Sequence, residues 1–254
     1  MSNENYTIAE SFVLPSKGLI YNTPINPNIK LRSMTTAEEM RRLAPTDTSY
    51  KVMSDIIESC MVEGPKDKLS VYDMCIGDYQ FLLHKIRVVT YGSDYKLAVR
   101  CPHCGSIHQT TINLDELEVS EYDESMGSLK TITLPRTKKE IGLKIQTPRI
   151  LDSIAKRKKE LQKKSGDLDY DPTLSLTLMA MIDTVDGEKL DPGKLERFVK
   201  TLPMMDANYL IQSSNKLNGK VGINTDLSVE CKRCGKDIDT TFRYTSEFFG
   251  PEID

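Results

Sequence analysis

The residues best suited to chemistry in this sequence are four cysteines arranged in two matched pairs. Two residues separate Cys101 from Cys104 and Cys231 from Cys234, and a glycine follows each pair. A C-x-x-C-G turn points two sulfurs at one centre, and its glycine permits the left-handed backbone that such a turn needs. Zinc takes four tetrahedral ligands and binds thiolates readily. The spacing therefore predicts one Zn²⁺ ion held by all four cysteines.

The predicted metal site is structural rather than catalytic. Four protein ligands leave no open position on the ion for water or substrate. The spacing within each pair is that of a zinc ribbon, but residues 105–230 lie between the pairs, many more than in an ordinary ribbon. The ion would thus join two distant parts of the chain, whose docking is otherwise entropically costly.

Other uses of the cysteines and histidines fit the sequence less well. A redox pair of the thioredoxin type opens a helix after a strand, whereas polar, β-branched sequence follows each pair here. Separate metal sites that use His103 or His108 are an alternative, but neither has an evident fourth partner. We expect Cys60 and Cys75 to be small apolar side chains on helices, and His84 to be an ordinary helix residue.

Each cysteine pair is predicted to lie between two strands. Apolar residues alternate before and after the first pair, which indicates a strand, a metal-binding turn and a returning strand. The pattern L-x-V-x-C-x-x-C-G-x-x-x-x-T-T begins at Leu97 and again at Leu227, with seven matched positions and no gap. Such a match is typical of an internal repeat.

Weaker matches extend this correspondence to the rest of the chain. Leu134-Pro135 repeats Leu14-Pro15, and Asp206 is predicted to cap a helix as Asp78 is predicted to open one. We interpret these matches as a duplication of about half the chain. Chance similarity of short, common patterns is the alternative for the pieces outside the cysteine turns.

The remaining elements are predicted from apolar spacing and turn residues. Residues 12–15 and 18–21 are expected to pair as an edge hairpin. Capping signals and apolar spacing predict helices over residues 36–43 and 50–61. The acidic segment 115–128 lacks a clear pattern and is the predicted linker.

Together these elements predict an α+β fold with two pseudo-repeated lobes. Each lobe contains a β-hairpin, helices and a strand–cysteine turn–strand arm, and a zinc ribbon split between the lobes joins them. The first lobe covers residues 1–116 with its turn at 101–105. The second covers residues 117–254 with its turn at 231–235.

Composition excludes several classes of protein. The 34 basic and 37 acidic side chains give a net charge of −3, so no overall field attracts nucleic acid. No apolar run approaches the roughly 20 residues of a membrane helix, and the first residues lack a secretory signal pattern. We therefore expect a soluble protein made in a cytoplasm. Without a Walker A motif, G-x-S-x-G or H-E-x-x-H, no enzyme is predicted.

A basic run on a predicted helix offers one further candidate surface. Its members are Lys156, Arg157, Lys158, Lys159, Lys163 and Lys164. A phosphate-binding face is one interpretation. We favour a solvated helix surface, because Asp152 and Glu160 are interspersed with the cations and no aromatic residues are present to stack on bases.

Several segments of the sequence resemble the baseplate hub assembly proteins of contractile-tailed, T-even-like bacteriophages. They are FVLPSKGLIY at residues 12–21, MTTAEEM at 34–40, GDYQFLL at 77–83, YGSDY at 91–95 and CPHC at 101–104. The resemblance covers the first 115 residues well and the rest loosely.

This resemblance implies a non-enzymatic role while the central hub of the baseplate is built. The protein would be a hub subunit or an assembly factor, with other hub proteins as partners. It would act in the host cytoplasm and, if retained, lie in the virion tail. A nucleic-acid-binding zinc-ribbon regulator is the alternative function, and a zinc-dependent hydrolase is a more distant one.

Overall fold

Helices and short antiparallel strands alternate along the chain, which makes the fold α+β as predicted. The computed structural model describes residues 7–165, 171–242, 244 and 246–249. We refer to residues up to 116 as the first half and to the residues after them as the second half. No helix within the described ranges is long and apolar enough to cross a membrane.

Eight helices lie in the described part of the chain. They are α1 Thr36–Leu43, α2 Ser49–Cys60, α3 Ile76–Tyr91, α4 Met126–Leu129, α5 Pro148–Ser165, α6 Thr173–Met181, α7 Pro192–Thr201 and α8 Met204–Asn218. Short 3-10 helices occur at Val71–Asp73, Leu114–Glu116 and Ser246–Phe249.

The strands are short and form five small sheets within the same residues. They are β1 Ala9–Val13, β2 Asn28–Arg32, β3 Met61–Glu63, β4 Asp94–Arg100, β5 Ile107–Asn113, β6 Val119–Ser120, β7 Thr131–Thr133, β8 Glu140–Leu143, β9 Ile182–Val185, β10 Gly222–Ile223, β11 Asp226–Glu230 and β12 Asp237–Thr241.

Each half contains a three-stranded antiparallel sheet of the same strand order. In the first sheet β2 lies between β1 and β3, and in the second β8 lies between β7 and β9. Helices α1 and α2 connect β2 to β3, while α5 and α6 connect β8 to β9. The pairing of the middle and third strands shifts register in both sheets, at Lys30/Leu31 and at Gly142/Leu143.

The predicted hairpin between residues 12–15 and 18–21 is wrong. Strand β1 pairs with β2 instead, with Phe12 opposite Ile29. Residues 19–21 form no strand, because the chain turns at residues 15–18, where Gly18 adopts φ +72° and its carbonyl accepts a hydrogen bond from the N–H of Ile25 at 3.1 Å. A side chain at Gly18 would meet that neighbour's carbonyl oxygen at 2.1 Å, so the turn requires glycine.

The first two predicted helices are present at almost their predicted bounds. Helix α1 follows a capping box in which the Glu38 carboxylate accepts a hydrogen bond from the Thr35 N–H at 2.8 Å. Helix α2 begins and ends one residue earlier than predicted, because Met61 already belongs to strand β3.

Helix α3 begins at Ile76, two residues before Asp78, contrary to the prediction that Asp78 opens it. The fully buried Asp78 carboxylate accepts hydrogen bonds from the N–H of Ser16 and from the hydroxyl groups of Ser16 and Tyr21. The cap is Cys75, whose sulfur accepts from the Asp78 N–H at 3.5 Å. Asp78 therefore holds the turn after β1 rather than the start of its own helix.

Asp206 is likewise the third residue of its helix and not the predicted cap. Helix α8 begins at Met204, and the Asp206 carboxylate is fully buried. It accepts hydrogen bonds from the N–H groups of Arg136 at 2.7 Å and Thr137 at 2.9 Å, and from the Thr137 hydroxyl at 2.8 Å. In both halves a buried carboxylate thus holds the turn that follows the first strand of the three-stranded sheet.

Two large apolar cores lie in the described part of the chain, and neither is confined to one half. The first packs around Ile29 and Leu82 of the first half but includes Phe242 and Phe248 from the end of the second. The second packs around residues of the second half but includes Cys75. Side chains from both ends of the chain therefore interlock, and their burial stabilises the contact between the halves.

The acidic segment 115–128, predicted as a linker, is held firmly in the fold. Strand β6 pairs with β10, with Ser120 opposite Gly222. Met126 of α4 is only 1% exposed and belongs to the second core. Its acidic composition reflects exposed positions around these two anchors.

Candidate metal centre

Two antiparallel hairpins carry the four cysteines, as the sequence predicts. Strands β4 and β5 pair from Asp94 opposite Asn113 to Arg100 opposite Ile107, and a cysteine turn connects them. Strands β11 and β12 pair in the same way around the second cysteine turn. Each hairpin is a separate two-stranded sheet, so sheet hydrogen bonds do not hold the two arms together.

The two cysteine turns have the same backbone geometry. The Cys101 carbonyl accepts a hydrogen bond from the Gly105 N–H at 3.0 Å, and the Cys231 carbonyl accepts one from the Gly235 N–H at 2.8 Å. These glycines have φ values of +71° and +68°. A Cβ atom on Gly105 would meet nothing within 4 Å. Glycine is therefore favoured there by backbone conformation and not by lack of space.

The structure brings all four predicted cysteines together. Their sulfur atoms lie within 4.8 Å of one another. The Sγ of Cys101 is 3.7 Å from that of Cys234, and the Sγ of Cys104 is 3.7 Å from that of Cys231. A tetrahedral site with Zn–S bonds of about 2.3 Å requires sulfurs about 3.8 Å apart. The separations fit a metal ion and are too long for disulfides, whose S–S bonds are about 2.05 Å.

The electrostatics of the cluster favour a bound cation. The hydroxyl group of Ser106, with the N–H groups of Cys234 and Arg233, lowers the pKa of Cys231 to about 5. The same hydroxyl, 3.0 Å from the Cys104 sulfur, lowers the pKa of that thiol as well. Thiolates this close repel one another unless a positive ion lies between them.

The pKa of the fourth thiol moves in the opposite direction. The N–H of Lys236 favours the thiolate of Cys234, but partial desolvation and hydrogen bonds with Cys231, Cys101 and Cys104 outweigh it and raise its pKa to about 11. A cation at the centre would reverse this balance, because it stabilises every thiolate that it touches.

Little apolar surface supports the two arms at this point. Val99, Cys101, Cys231 and Ile238 are the buried members of a small cluster beneath the sulfurs. Cys104 is half-buried and Cys234 is exposed, so one side of the centre faces solvent. Such a small cluster contributes little hydrophobic stabilisation, and a bound metal would hold the arms together far more strongly.

The serine that contacts two of the sulfurs is a residue that sequence reasoning missed. Besides Cys104, the Ser106 hydroxyl lies 3.5 Å from the Cys231 sulfur and so contacts both turns. The second turn has Lys236 at the matching position. Because the repeat breaks there, the sequence offers no paired signal that would identify the serine.

The other cysteines and the histidines lie outside the cluster. Cys60 and Cys75 are buried, and burial raises the pKa of both thiols. Cys75 is a helix cap rather than a residue on the helix. His84 is buried with its Nε2 atom 2.8 Å from the Leu114 carbonyl, and burial lowers its pKa to about 4. His103 is exposed.

The basic run lies on helix α5, as predicted, and three of its six cations form ion pairs with carboxylates. Lys159 pairs with Asp47, Lys158 pairs with Asp171 at 3.3 Å, and Arg157 pairs with Glu160 at 3.3 Å. The side chain of Lys164 lies outside the described residues. These ion pairs favour the interpretation of a solvated helix surface.

Asp152, by contrast, does not belong to that solvated surface. It is 4% exposed, and its carboxylate accepts hydrogen bonds from the Lys51 N–H at 2.9 Å and the Tyr72 hydroxyl at 3.0 Å. The prediction that Asp152 lies on the solvated surface of the helix is therefore wrong. The carboxylate instead caps the first turn of α2 and connects the two halves.

Comparison with known proteins gives one match. A family model described as "T4 bacteriophage base plate protein" matches residues 9–250. The matched range contains both three-stranded sheets and all four clustered cysteines. No curated protein and no solved structure matches the chain.

Proposed function

The chain belongs to the T4 bacteriophage base plate protein family, and from this premise we propose that it is a non-enzymatic protein of the central baseplate hub. The observation that carries the proposal is the family match over residues 9–250. The hub-like segments within the first 115 residues support the narrower assignment to the hub.

We propose that the four cysteines bind one structural Zn²⁺ ion. The 3.7 Å separations across the two turns and the matching turn geometry support this assignment. The residues fit the ion, because all four donors are sulfurs that favour a soft, tetrahedral metal. When bound, the ion supplies a rigid connection between the hairpins. Cys101 and Cys104 hold it from the first half, and Cys231 and Cys234 hold it from the second.

We further propose that the two halves are duplicated lobes joined by a split zinc ribbon. The common strand order of the three-stranded sheets, the paired register shifts and the buried aspartates at equivalent helical positions support this duplication. On this proposal the lobes are residues 1–116 and 117–254. The ion then lies at their junction and keeps the body rigid for docking.

Other hub proteins are the proposed partners. The protein would meet them in the host cytoplasm while the tail is assembled. If it is a hub subunit it stays in the virion tail baseplate, and if it is an assembly factor it leaves. The nucleic-acid-binding alternative has less support, since three cations of the basic run on α5 are paired with carboxylates.

Gene disruption tests the proposed function. We expect infected cells that lack the protein to accumulate heads without complete contractile tails, as seen by electron microscopy. The wild-type gene supplied in trans should restore tails. Normal tails in the disrupted phage would contradict the proposal. Mass spectrometry of purified virions then separates a retained hub subunit from a released assembly factor.

A titration with DNA and RNA at two salt concentrations tests the alternative. Phosphate contacts weaken steeply as salt rises. We expect no salt-sensitive binding. A tight complex that high salt dissolves would favour the regulatory function over the structural one.

A further inference from the structure

We propose that a trough between the two halves binds an extended, acidic and apolar peptide segment of a protein partner. The proposal rests on the proposed function for the source of that segment, a neighbouring hub protein. The binding chemistry itself is argued from the trough alone, so the two can be tested separately.

Three adjoining cavities form the trough. The first, of about 910 Å³, has one wall from residues 20–25 of the first half and another from residues 143–145 of the second. Cavities of about 210 Å³ and 540 Å³ continue from it toward α7 and α5. Lys144 lines all three, and Leu195 lines the second and third. The shared residues make the trough continuous.

Apolar side chains form much of the trough lining. Several of them are half-buried, so they pack on the cores and keep a face open to the trough. Among them are Leu69, Ile145, Met179, Leu190 and Leu195. An open row of this kind suits alternate apolar side chains of an extended segment, which point to one face of the strand.

The cations along the trough exceed the carboxylates. Four lysines that line it form no ion pair with any residue that the structure describes. They are Lys68, Lys130, Lys144 and Lys156.

The carboxylates that line the same trough are already paired. Asp73 accepts two hydrogen bonds from the Arg149 guanidinium, at 2.5 and 2.7 Å. Asp183 lies 3.6 Å from the Lys189 ammonium group, and Glu160 pairs with an arginine of its own helix. The trough therefore carries uncompensated positive charge, and an acidic segment is its electrostatic complement.

A protein segment fits this surface better than a nucleic acid does. Single-stranded nucleic acids are held by successive aromatic side chains that stack on bases. Tyr21 is the one aromatic residue among the described residues that line the trough, and its hydroxyl group is bonded to Asp78. The apolar lining would have no partner along a phosphate backbone.

Fluorescence anisotropy with the full-length, zinc-loaded protein tests the proposal. The first probe is a labelled peptide of alternating glutamate and leucine, about ten residues long, which spans about 33 Å when extended. The second replaces each leucine by serine at the same charge. The third is a thymidine oligonucleotide of similar charge. We expect the first probe to bind at least about tenfold more tightly than the other two.

A pair of double variants locates the binding. We expect Lys130→Glu with Lys144→Glu to weaken binding of the glutamate–leucine peptide by at least about tenfold. Lys163→Glu with Lys216→Glu, on exposed lysines outside the trough, serves as the matched control and should change the affinity less than about twofold. Unchanged melting temperature and zinc content verify that both variants fold.

Each contrary result overturns the proposal. Failure of the glutamate–leucine peptide to bind removes the trough as a peptide site. Equal binding of the serine peptide reduces it to a nonspecific charged surface, and tighter binding of the oligonucleotide assigns it to nucleic acid. Equal weakening by the control variant places the binding elsewhere. None of these results changes the tail phenotype that tests the proposed function.

Discussion

In each half a buried aspartate holds the turn after the first strand of the three-stranded sheet, but the hydrogen-bond donors differ. One oxygen of Asp78 accepts from a backbone N–H, and the other accepts only from the hydroxyl groups of Ser16 and Tyr21. Both oxygens of Asp206 accept from backbone N–H groups, those of Arg136 and Thr137. The backbone arrangement thus recurs while the chemistry around it differs.

The two aspartates also differ in the direction of their pKa shifts. Burial raises the pKa of Asp78, and its hydrogen bonds do not fully compensate. Burial opposes ionisation of Asp206 too, but the N–H groups of Arg136 and Thr137 outweigh it and lower its pKa. The comparison indicates that equivalent positions tolerate different electrostatics as long as the carboxylate holds the turn.

The largest effect is expected when one clustered cysteine of either half is replaced. This comparison tests whether the two halves contribute equally to the metal centre. We expect Cys101→Ser and Cys231→Ser each to abolish stoichiometric zinc and to lower the free energy of unfolding by more than about 3 kcal/mol, since a lost metal is among the most severe changes. Metal analysis and denaturant unfolding measure both quantities. A zinc-free variant with normal unfolding would contradict the account. Cys60→Ser and Cys75→Ser are the controls and should retain full zinc.

The next largest effect is the difference in stability lost when each of the two aspartates is replaced by asparagine. Asp206→Asn places an NH₂ group against a backbone N–H, whichever way the amide is oriented. A buried donor is then unsatisfied, at a cost of about 1–3 kcal/mol. In Asp78→Asn the NH₂ group can face the two hydroxyl groups, which also accept, so we expect a loss below about 1 kcal/mol. Urea unfolding at pH 7 measures both. Equal losses would mean that the donor types do not matter.

The pH dependence of the same variants sharpens this contrast. The folded pKa of Asp78 is raised, so wild-type protein should gain stability relative to Asp78→Asn as pH falls through that pKa toward the unfolded value of about 4, by up to about 1.4 kcal/mol per pH unit. The folded pKa of Asp206 is lowered, and its stabilisation is lost only below the unfolded value of about 4. Its difference from Asp206→Asn should therefore stay constant in that range. Parallel curves for the two variants would contradict the opposite pKa shifts.

The smallest effect compares the glycines of the cysteine turns. Gly105→Ala and Gly235→Ala each force alanine into a positive φ, which we expect to cost about 1 kcal/mol in either half. Gly127→Ala in helix α4 is the matched control, because its surroundings are also open but its φ is not positive. Thermal unfolding should show losses for the first two and none for the control. Unequal losses at the turns would count against their equivalence.

The elements that were predicted correctly are those determined by residues close together in the sequence. The C-x-x-C-G spacing and the alternation of apolar residues around it were enough to predict both hairpins and the clustering of all four cysteines. The capping box at Thr35 and Glu38 was enough for helix α1. In each case the residues that interact lie a few positions apart.

Predictions failed where the decisive partner is distant in sequence. Strand β1 pairs with β2 because the turn at Gly18 carries the chain past the nearer apolar run. The roles of Asp78 and Asp206 depend on turns more than sixty residues away. The prediction that Asp152 lies on a solvated surface failed for the same reason. Its partners are in the first half and cannot be identified from its own helix.

Zinc K-edge X-ray absorption of the purified full-length protein tests the metal centre most directly. The account predicts one zinc per chain surrounded by four sulfur atoms at about 2.3 Å. Nitrogen or oxygen neighbours in place of sulfur would contradict it, and so would a protein that folds fully with no metal bound.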